Sequence, residues 1–170
     1  MIGLVKASTS NIDMNFILKI RNEKLVRKFS RNNKIISSIN HKKWYLNNEK
    51  KEIYIITYQE KKVGYIRCDY KYVPILSWAI SPKYRGKNIG EFSLKKFLKE
   101  KKIKTCSASI DENNIPSLIM VIKNNFKLKK KNKNFLDFYY KKKWYLVDFL
   151  INYLYLYCFK KIIKSYLSRQ

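Results

Sequence analysis

The sequence predicts an α/β (α+β) fold, a mixed central sheet flanked by helices with one added helix at the C-terminal end. Three observations predict it. Strand-like and helix-like patterns alternate in the order β-α-α-β-β-β-α-β-α-β-β. Ile53 to Tyr58 and Lys62 to Tyr70 read as an antiparallel hairpin. A nearly continuous apolar strand, Ile75 to Ile80, stops at Ser81-Pro82 and runs through Arg85-Gly86-Lys87-Asn88-Ile89-Gly90 into an amphipathic helix. With 170 residues, 46% of them hydrophobic and 15% aromatic, the chain has the material for one packed domain.

In chain order, Ile2 to Lys6 alternates as a short strand, and Asn11 or Asp13 is expected to cap a helix with Phe16, Ile17 and Ile20 on its apolar face. A polar stretch follows from Arg21 to Asn40. Ser38 to Asn48 reads as a second helix that carries His41, Trp44 and Tyr45 on one face. The hairpin strands are separated by Gln59-Glu60-Lys61-Lys62, and Val73-Pro74 closes the next turn. Pro82 ends the Ile75–Ile80 strand because proline has no ladder donor. In the helix beyond it Ile89, Leu94, Phe97 and Leu98 make the apolar face, with Lys95, Lys96, Lys99, Glu100 and Lys101 elsewhere. Lys104 to Ile110 is a further strand, Asp111 to Asn114 a break with capping residues, and Ser117 to Lys123 a short helix. Phe126 to Leu128 and Phe135 to Tyr140 close the pattern around a lysine-rich turn.

Residues 1–141 therefore read as one domain and residues 142–170 as an extension. From Trp144 to Phe159 that extension is rich in Leu, Ile, Tyr and Phe, but Asp148 and Asn152 interrupt it four residues apart. It is too short and polar for a spanning helix, which needs about 20 apolar residues. An amphipathic helix is expected, packing on the domain or a second subunit as a homodimer contact, or over 144–167 lying peripherally at a membrane's inner face.

The net charge of +26, from 38 Lys and Arg against 12 Asp and Glu, raises nucleic acid or an anionic membrane as partners. The excess is mostly lysine scattered among Asn, Ile and Tyr, and no nucleic-acid module accompanies it, so solvated lysine faces are expected and no specific nucleic acid. Cys68, Cys106 and Cys158 lie far apart without metal-ligand spacing, so reduced thiols and no metal are expected. Met1 to Asn15 carries no apolar run of signal-peptide length, and a cytoplasmic protein is the expectation.

The chemistry concentrates in the turn after Ile80. The first amides of a helix have no intrahelical acceptors, and the helix dipole puts about half a positive charge there. Gly86 and Gly90 let backbone approach a ligand, and Arg85 and Lys87 add charge, which together describe a pyrophosphate cradle. By itself, glycine-x-x-x-glycine before a helix also fits an ordinary tight turn. A Rossmann loop would follow the first strand and a P-loop would need Gly-Lys-Ser/Thr, so neither fits.

In this segment the chain resembles the GNAT superfamily of acetyl-CoA-dependent N-acetyltransferases, whose signature is Arg or Gln, two residues, Gly, one residue, then Gly or Ala. Arg85 to Gly90 matches it, with Asn88 where glycine is usual. A second landmark, Asn followed at +3 by Ser or Ala and at +12 by Phe, is matched by Asn114, Ser117 and Phe126. The resemblance implies a mostly antiparallel sheet and acetyl-CoA as co-substrate. It implies that the Trp78, Ala79 and Ile80 backbone pairs with the pantetheine arm, that amides from Gly86 through Lys87, Asn88 and Ile89 to Gly90 hold the pyrophosphate, and that Asn114 contacts the cofactor. Val121 stands where the family's tyrosine acid is usual, and Asn125 where glycine precedes the phenylalanine. Ile75 and Ser109 stand where a carboxylate base is often found. No catalytic group is therefore named outright; His41, Ser109 and Ser117 are the candidates.

Arg21-Asn22, Arg27, Ser30, His41 and Trp44 resemble the pattern of nucleotide-sugar N-acetyltransferases of the pseudaminic-acid type. By that resemblance they line the acceptor pocket, arginines suiting a diphosphate and Trp44 a ring. His41 and Trp44 equally suit helix packing. An aminosugar amine is less basic than a lysine and can react without a strong protein base, given positioning and an oxyanion donor. The expected function is acetyl transfer to the amine of a nucleotide-linked aminosugar for surface glycan synthesis. The alternatives are acetylation of a protein N terminus or another small amine, and non-catalytic acyl-CoA or membrane-surface binding.

Overall fold

The computed structural model describes residues 1–47 and 50–142, and the expected C-terminal helix lies outside them. Seven strands form one sheet in the order β1-β2-β3-β4-β5-β7-β6. They are β1 (Ile2–Lys6), β2 (Lys51–Tyr58), β3 (Lys61–Asp69), β4 (Ile75–Ile80), β5 (Thr105–Asp111), β6 (Lys127–Asn132) and β7 (Phe135–Lys141). β1 to β4 form an antiparallel meander. The β2–β3 turn takes two residues, Gln59 and Glu60, with φ of +48° and +63°, the backbone a tight hairpin turn demands. Gly64 is required in β3, since a Cβ there would stand 2.5 Å from the Ala79 carbonyl oxygen in β4.

The helices are α1 (Asn11–Arg21), α2 (Lys24–Lys28), α3 (Ser38–Leu46), α4 (Ile89–Glu100) and α5 (Ile115–Lys123). α1 and α3 cover one sheet face, burying Met14, Ile17, Ile20 and Tyr45 against Ile53, Ile55, Tyr65 and Ala79. α4 covers the other, where Phe97 is fully buried and meets Tyr54 edge-on at 5.4 Å. Packing of these two apolar stripes on alternate sides of β2 and β3 supplies the main driving force.

Two local expectations are corrected. Ser10 caps α1, its side chain accepting from the Asp13 N–H, whereas Asp13 instead accepts from Ser8 and from Lys62 Nζ at 2.6 Å. The polar stretch after Arg21 holds an additional short helix, α2, whose Val26 packs against the α1–α3 core.

β4 is where the sheet changes character. It meets β5 in parallel at one register pair, Ile75 with Ser107, where the Ser107 N–H donates to the Pro74 carbonyl at 2.8 Å. On its other side β4 pairs with β3 along its length, and Ser81 N–H still reaches Val63 O at 2.8 Å. Antiparallel ladders alternate their bonding groups. Ser77 and Ala79 therefore point their amides and carbonyls at β3, leaving those of Trp78 and the Ile80 N–H along the edge where β5 diverges.

Candidate functional site

The divergence of β4 from β5 opens a cleft of about 570 Å³. Trp78, Ala79 and Ile80 form its floor, the turn 84–90 one end, and Asn114, Ile115, Pro116, Ser117, Ile119 and Met120 one wall. Leu25, Val26, Phe29 and Ser30 form the other. Ile80 passes into a short 3₁₀ turn, Pro82–Tyr84, and the Arg85 Nε donates back to the Ile80 carbonyl at 2.9 Å, tying turn to strand.

Two residues then take left-handed backbone, Gly86 at φ +74° and Asn88 at φ +56°. Asn88 is the N-cap of α4 but its side chain makes no capping bond, so its contribution is its backbone conformation. The first intrahelical bond of α4 is Phe92 N–H to Asn88 O, which leaves the amides of Ile89, Gly90 and Glu91 without acceptors inside the helix. Gly90 brings this end close to its neighbours: a Cβ would lie 3.1 Å from Met120 Sδ and 3.5 Å from Ile80 Cγ1. Asn125, the second asparagine in a glycine position, also has positive φ, +62°, where α5 turns into β6.

Across the cleft, Asn114 caps α5 by accepting from the Ser117 N–H, and the Trp78 indole N–H points to Ser117 Oγ, both at 3.4 Å. Lys123 pairs with Glu91 at 2.9 Å, setting one ion pair beside the α4 N terminus. The site thus offers an apolar trough, an unpaired strand edge, and converging amides with positive helix-end potential, a combination that suits an extended thioester ending in a pyrophosphate.

Of the other sequence candidates, Ser30 lines the cleft and its hydroxyl donates to Val26 O at 2.5 Å. Asn22 clasps Ile36 through both amide atoms, at 2.8 and 2.9 Å. Arg27 donates to the Asn22 and Asn33 carbonyls, and Arg21 Nη2 to the Asn32 carbonyl. These three side chains hold the loop over residues 32–36. His41 does not line the cleft: it is 2% exposed, its Nε2–H donates to Met14 O at 3.0 Å, and burial lowers its pKa. As a catalytic or acceptor-binding candidate it is corrected to a helix-packing residue. Trp44 sits in a separate surface hollow with Lys43, Lys50, Lys51 and Lys71. Ser109, exposed on β5, accepts from Arg31 Nη2 at 2.7 Å, while Arg31 stacks 4.4 Å over Phe135. Val121 is fully buried, and no tyrosine hydroxyl enters from α5.

The sequence reading missed the apolar wall of α2. Leu25, Val26 and Phe29 stand at i, i+1 and i+4, a helical signal hidden among charged neighbours. Cys68 and Cys106 are buried free thiols, pushed by burial to about 11 and about 12, so neither supplies a thiolate at neutral pH.

The model of the acetyltransferase (GNAT) family matches residues 17–121, a span that includes β4, the turn and the capped start of α5. A domain from Methanocaldococcus jannaschii superposes with TM-score 0.74 at 25% identity, over 84% of this chain and 99% of that one. Campylobacter jejuni N-acetyltransferase PseH, solved with acetyl coenzyme A, superposes with TM-score 0.64 at 17% identity, over 84% and 100%. Spermidine N-acetyltransferase from Vibrio cholerae, solved with CoA and spermine, gives TM-score 0.70 at 11% identity, over 82% and 95%. No curated protein sequence matches the chain.

Proposed function

This chain belongs to the acetyltransferase (GNAT) family, and from that premise we propose that it transfers the acetyl group of acetyl-CoA to the amine of a nucleotide-linked aminosugar. The observation that carries the acetyl-CoA part is the continuous run from the open edge of β4 at Trp78 and Ile80, through the left-handed Asn88, to the free amides of α4. The thioester supplies an activated acyl carbonyl.

The chain's own part is positioning. The edge amides of Trp78 and Ile80 hold the extended arm. An N–H on that edge stabilises the oxyanion that develops when the amine attacks, an effect on the order of 3 kcal/mol in a dry site. Ile89, Gly90 and Glu91 amides hold the pyrophosphate, and the apolar wall of Leu25, Phe29 and Ile119 excludes water. With Val121 in place of a tyrosine, the proton that the amine nitrogen sheds on attack passes through water to the departing thiolate, near the Ser117 hydroxyl on the cleft wall. A weakly basic aminosugar amine keeps a larger neutral fraction at pH 7 than a lysine side chain does and needs no dedicated carboxylate, consistent with Ile75 and Ser109 at the positions where one would stand.

The nucleotide-sugar acceptor rests on the resemblance of the Arg21 to Trp44 segment, of which Ser30 lines the cleft. Release of CoA thiol across a panel comprising nucleotide-linked aminosugars, spermidine and peptides with free N termini tests both parts. Turnover of the nucleotide-linked aminosugars is expected. Absence of acetyl-CoA binding overturns the whole reading, and acetylation of peptides alone overturns the sugar acceptor.

A further inference from the structure

Among the described residues that line the cleft, three carry a formal charge: Arg85, Glu91 and Lys123. Arg85 is committed, since its Nε ties the turn to Ile80 O at 2.9 Å. Glu91 is the anomaly. It is the third residue of α4, so its carboxylate stands at the helix end whose amides and dipole attract an anion, and it competes for that potential with any phosphate bound there. A carboxylate beside a pyrophosphate cradle also repels the ligand outright. Its partner is Lys123, with Nζ 2.9 Å from Glu91 Oε2; the lysine side chain is 48% exposed and the glutamate 25%, so a ligand in the cleft reaches both.

Packing places Lys123 at this spot. It is the last residue of α5, the end of a helix that favours a cation. The next residue, Asn124, is buried, and its Nδ2 donates to Met120 O at 2.9 Å and to Glu91 O at 3.4 Å, lacing the end of α5 to the first turn of α4. Gly90 meets Met120 in the same seam. The Lys123 backbone is therefore fixed against the α4 N terminus, while its ammonium swings on a flexible four-carbon stem. A half-exposed pair of this kind holds only weakly, so the lysine exchanges its carboxylate for a more highly charged anion.

We infer that Glu91 is an internal competitor for the cofactor's phosphates: Lys123 pairs with Glu91 in the free protein and passes to the pyrophosphate when acetyl-CoA binds, so that this pair sets the affinity of the cleft. The inference rests on the acetyltransferase reading and assigns to that site one further phosphate-binding cation and one residue that weakens binding. The pyrophosphate carries more charge than a single carboxylate and takes both the lysine and the helix end, while the Glu91 side chain turns to water.

The test is calorimetric titration of the full chain with acetyl-CoA at several ionic strengths, with a thermal melt of each variant. Glu91→Gln is expected to lower Kd about threefold, because the repulsion goes and Lys123 is released to the ligand. Lys123→Gln is expected to raise Kd about tenfold and to make it less sensitive to salt, while Lys123→Arg stays within about threefold of the wild type. Lys104→Gln, exposed beyond the far end of α4, is expected to leave Kd and its salt dependence unchanged. A purely structural ion pair gives a different pattern, in which both single variants melt lower and neither binds more tightly, and that pattern overturns the inference. An unchanged or higher Kd for Glu91→Gln overturns the competitor role, and a Lys123→Gln variant that behaves like Lys104→Gln overturns the phosphate contact, each leaving the acetyltransferase reading intact. A wild type that binds no acetyl-CoA overturns the acetyltransferase reading, and the inference falls with it.

Discussion

Replacing Asn88 by valine and by glycine separates what its side chain does from what its backbone does. At φ +56°, ψ +11° this residue sits in the left-handed region, and its side chain makes no capping bond. Left-handed backbone costs an ordinary side chain about 1–2 kcal/mol, an expense that glycine avoids and asparagine partly avoids. Asn88→Val is therefore expected to cost about 1–2 kcal/mol. Where that appears depends on the free protein. If the turn stays left-handed, the loss falls on stability, and a chain of this size melts about 2–4 °C lower per kcal/mol. If the turn relaxes instead, acetyl-CoA binding must restore it, and Kd rises about five- to thirtyfold. Thermal melts with and without saturating acetyl-CoA, together with calorimetric Kd values, capture both cases. Asn88→Gly should lie within a few tenths of a kcal/mol of the wild type in both measurements. Unchanged melting and Kd in the valine variant would refute the reasoning, as would a more than threefold rise in Kd for the glycine variant, which would mean that the amide side chain itself touches the ligand.

Gly64→Ala places a Cβ 2.5 Å from the Ala79 backbone oxygen, which cannot swing away, so a loss of about 1–3 kcal/mol is expected in chemical denaturation, and a wild-type midpoint would show that β3 and β4 shift freely. Asn114→Ser keeps an N-cap acceptor for Ser117 N–H but removes the amide donor; melting within about 2 °C of wild type with a severalfold higher acetyl-CoA Kd is expected, and an unchanged Kd would reduce Asn114 to a cap. The single histidine gives a pH signature. Burial lowers the folded-state pKa of His41 below the unfolded value of 6.5, so the unfolded chain binds the proton first and stability falls as pH drops below about 6.5. Glu52, held at about 2 by Lys6 and its tyrosine neighbours, loses its contribution only as pH falls from its unfolded value of 4.5 toward 2, so His41→Gln should flatten the urea-midpoint slope between pH 6.5 and 5; an unchanged slope would show another group responsible.

The long periodic elements were legible in the sequence because their signals are local. β1 and β4 have the bounds expected of them, and α4 buries the predicted Ile89, Leu94, Phe97 and Leu98. Asn88 and Asn125, both at positions where the resemblance led to glycine, take positive φ, which asparagine tolerates better than most residues. The acceptor side was far less legible. Arg21, Asn22 and Arg27 look like ligand residues by type, yet their partners are carbonyls and an amide of the loop 32–36, which no spacing rule announces. Arg67 gave no sequence signal, because the burial of its Nε without an acceptor is set by packing rather than by local sequence.

The sequence by itself determined the β4–turn–α4 unit, since apolar runs, a proline stop, glycines and two asparagines act over a few residues through sterics and backbone dipoles. Only the tertiary structure decided that β7 lies between β5 and β6, that β4 and β5 meet at a single pair and then part, and that His41 is buried rather than facing the cleft. Those outcomes depend on how distant apolar faces pack and on which side chain satisfies which buried polar group, and neither is written in any one stretch of chain.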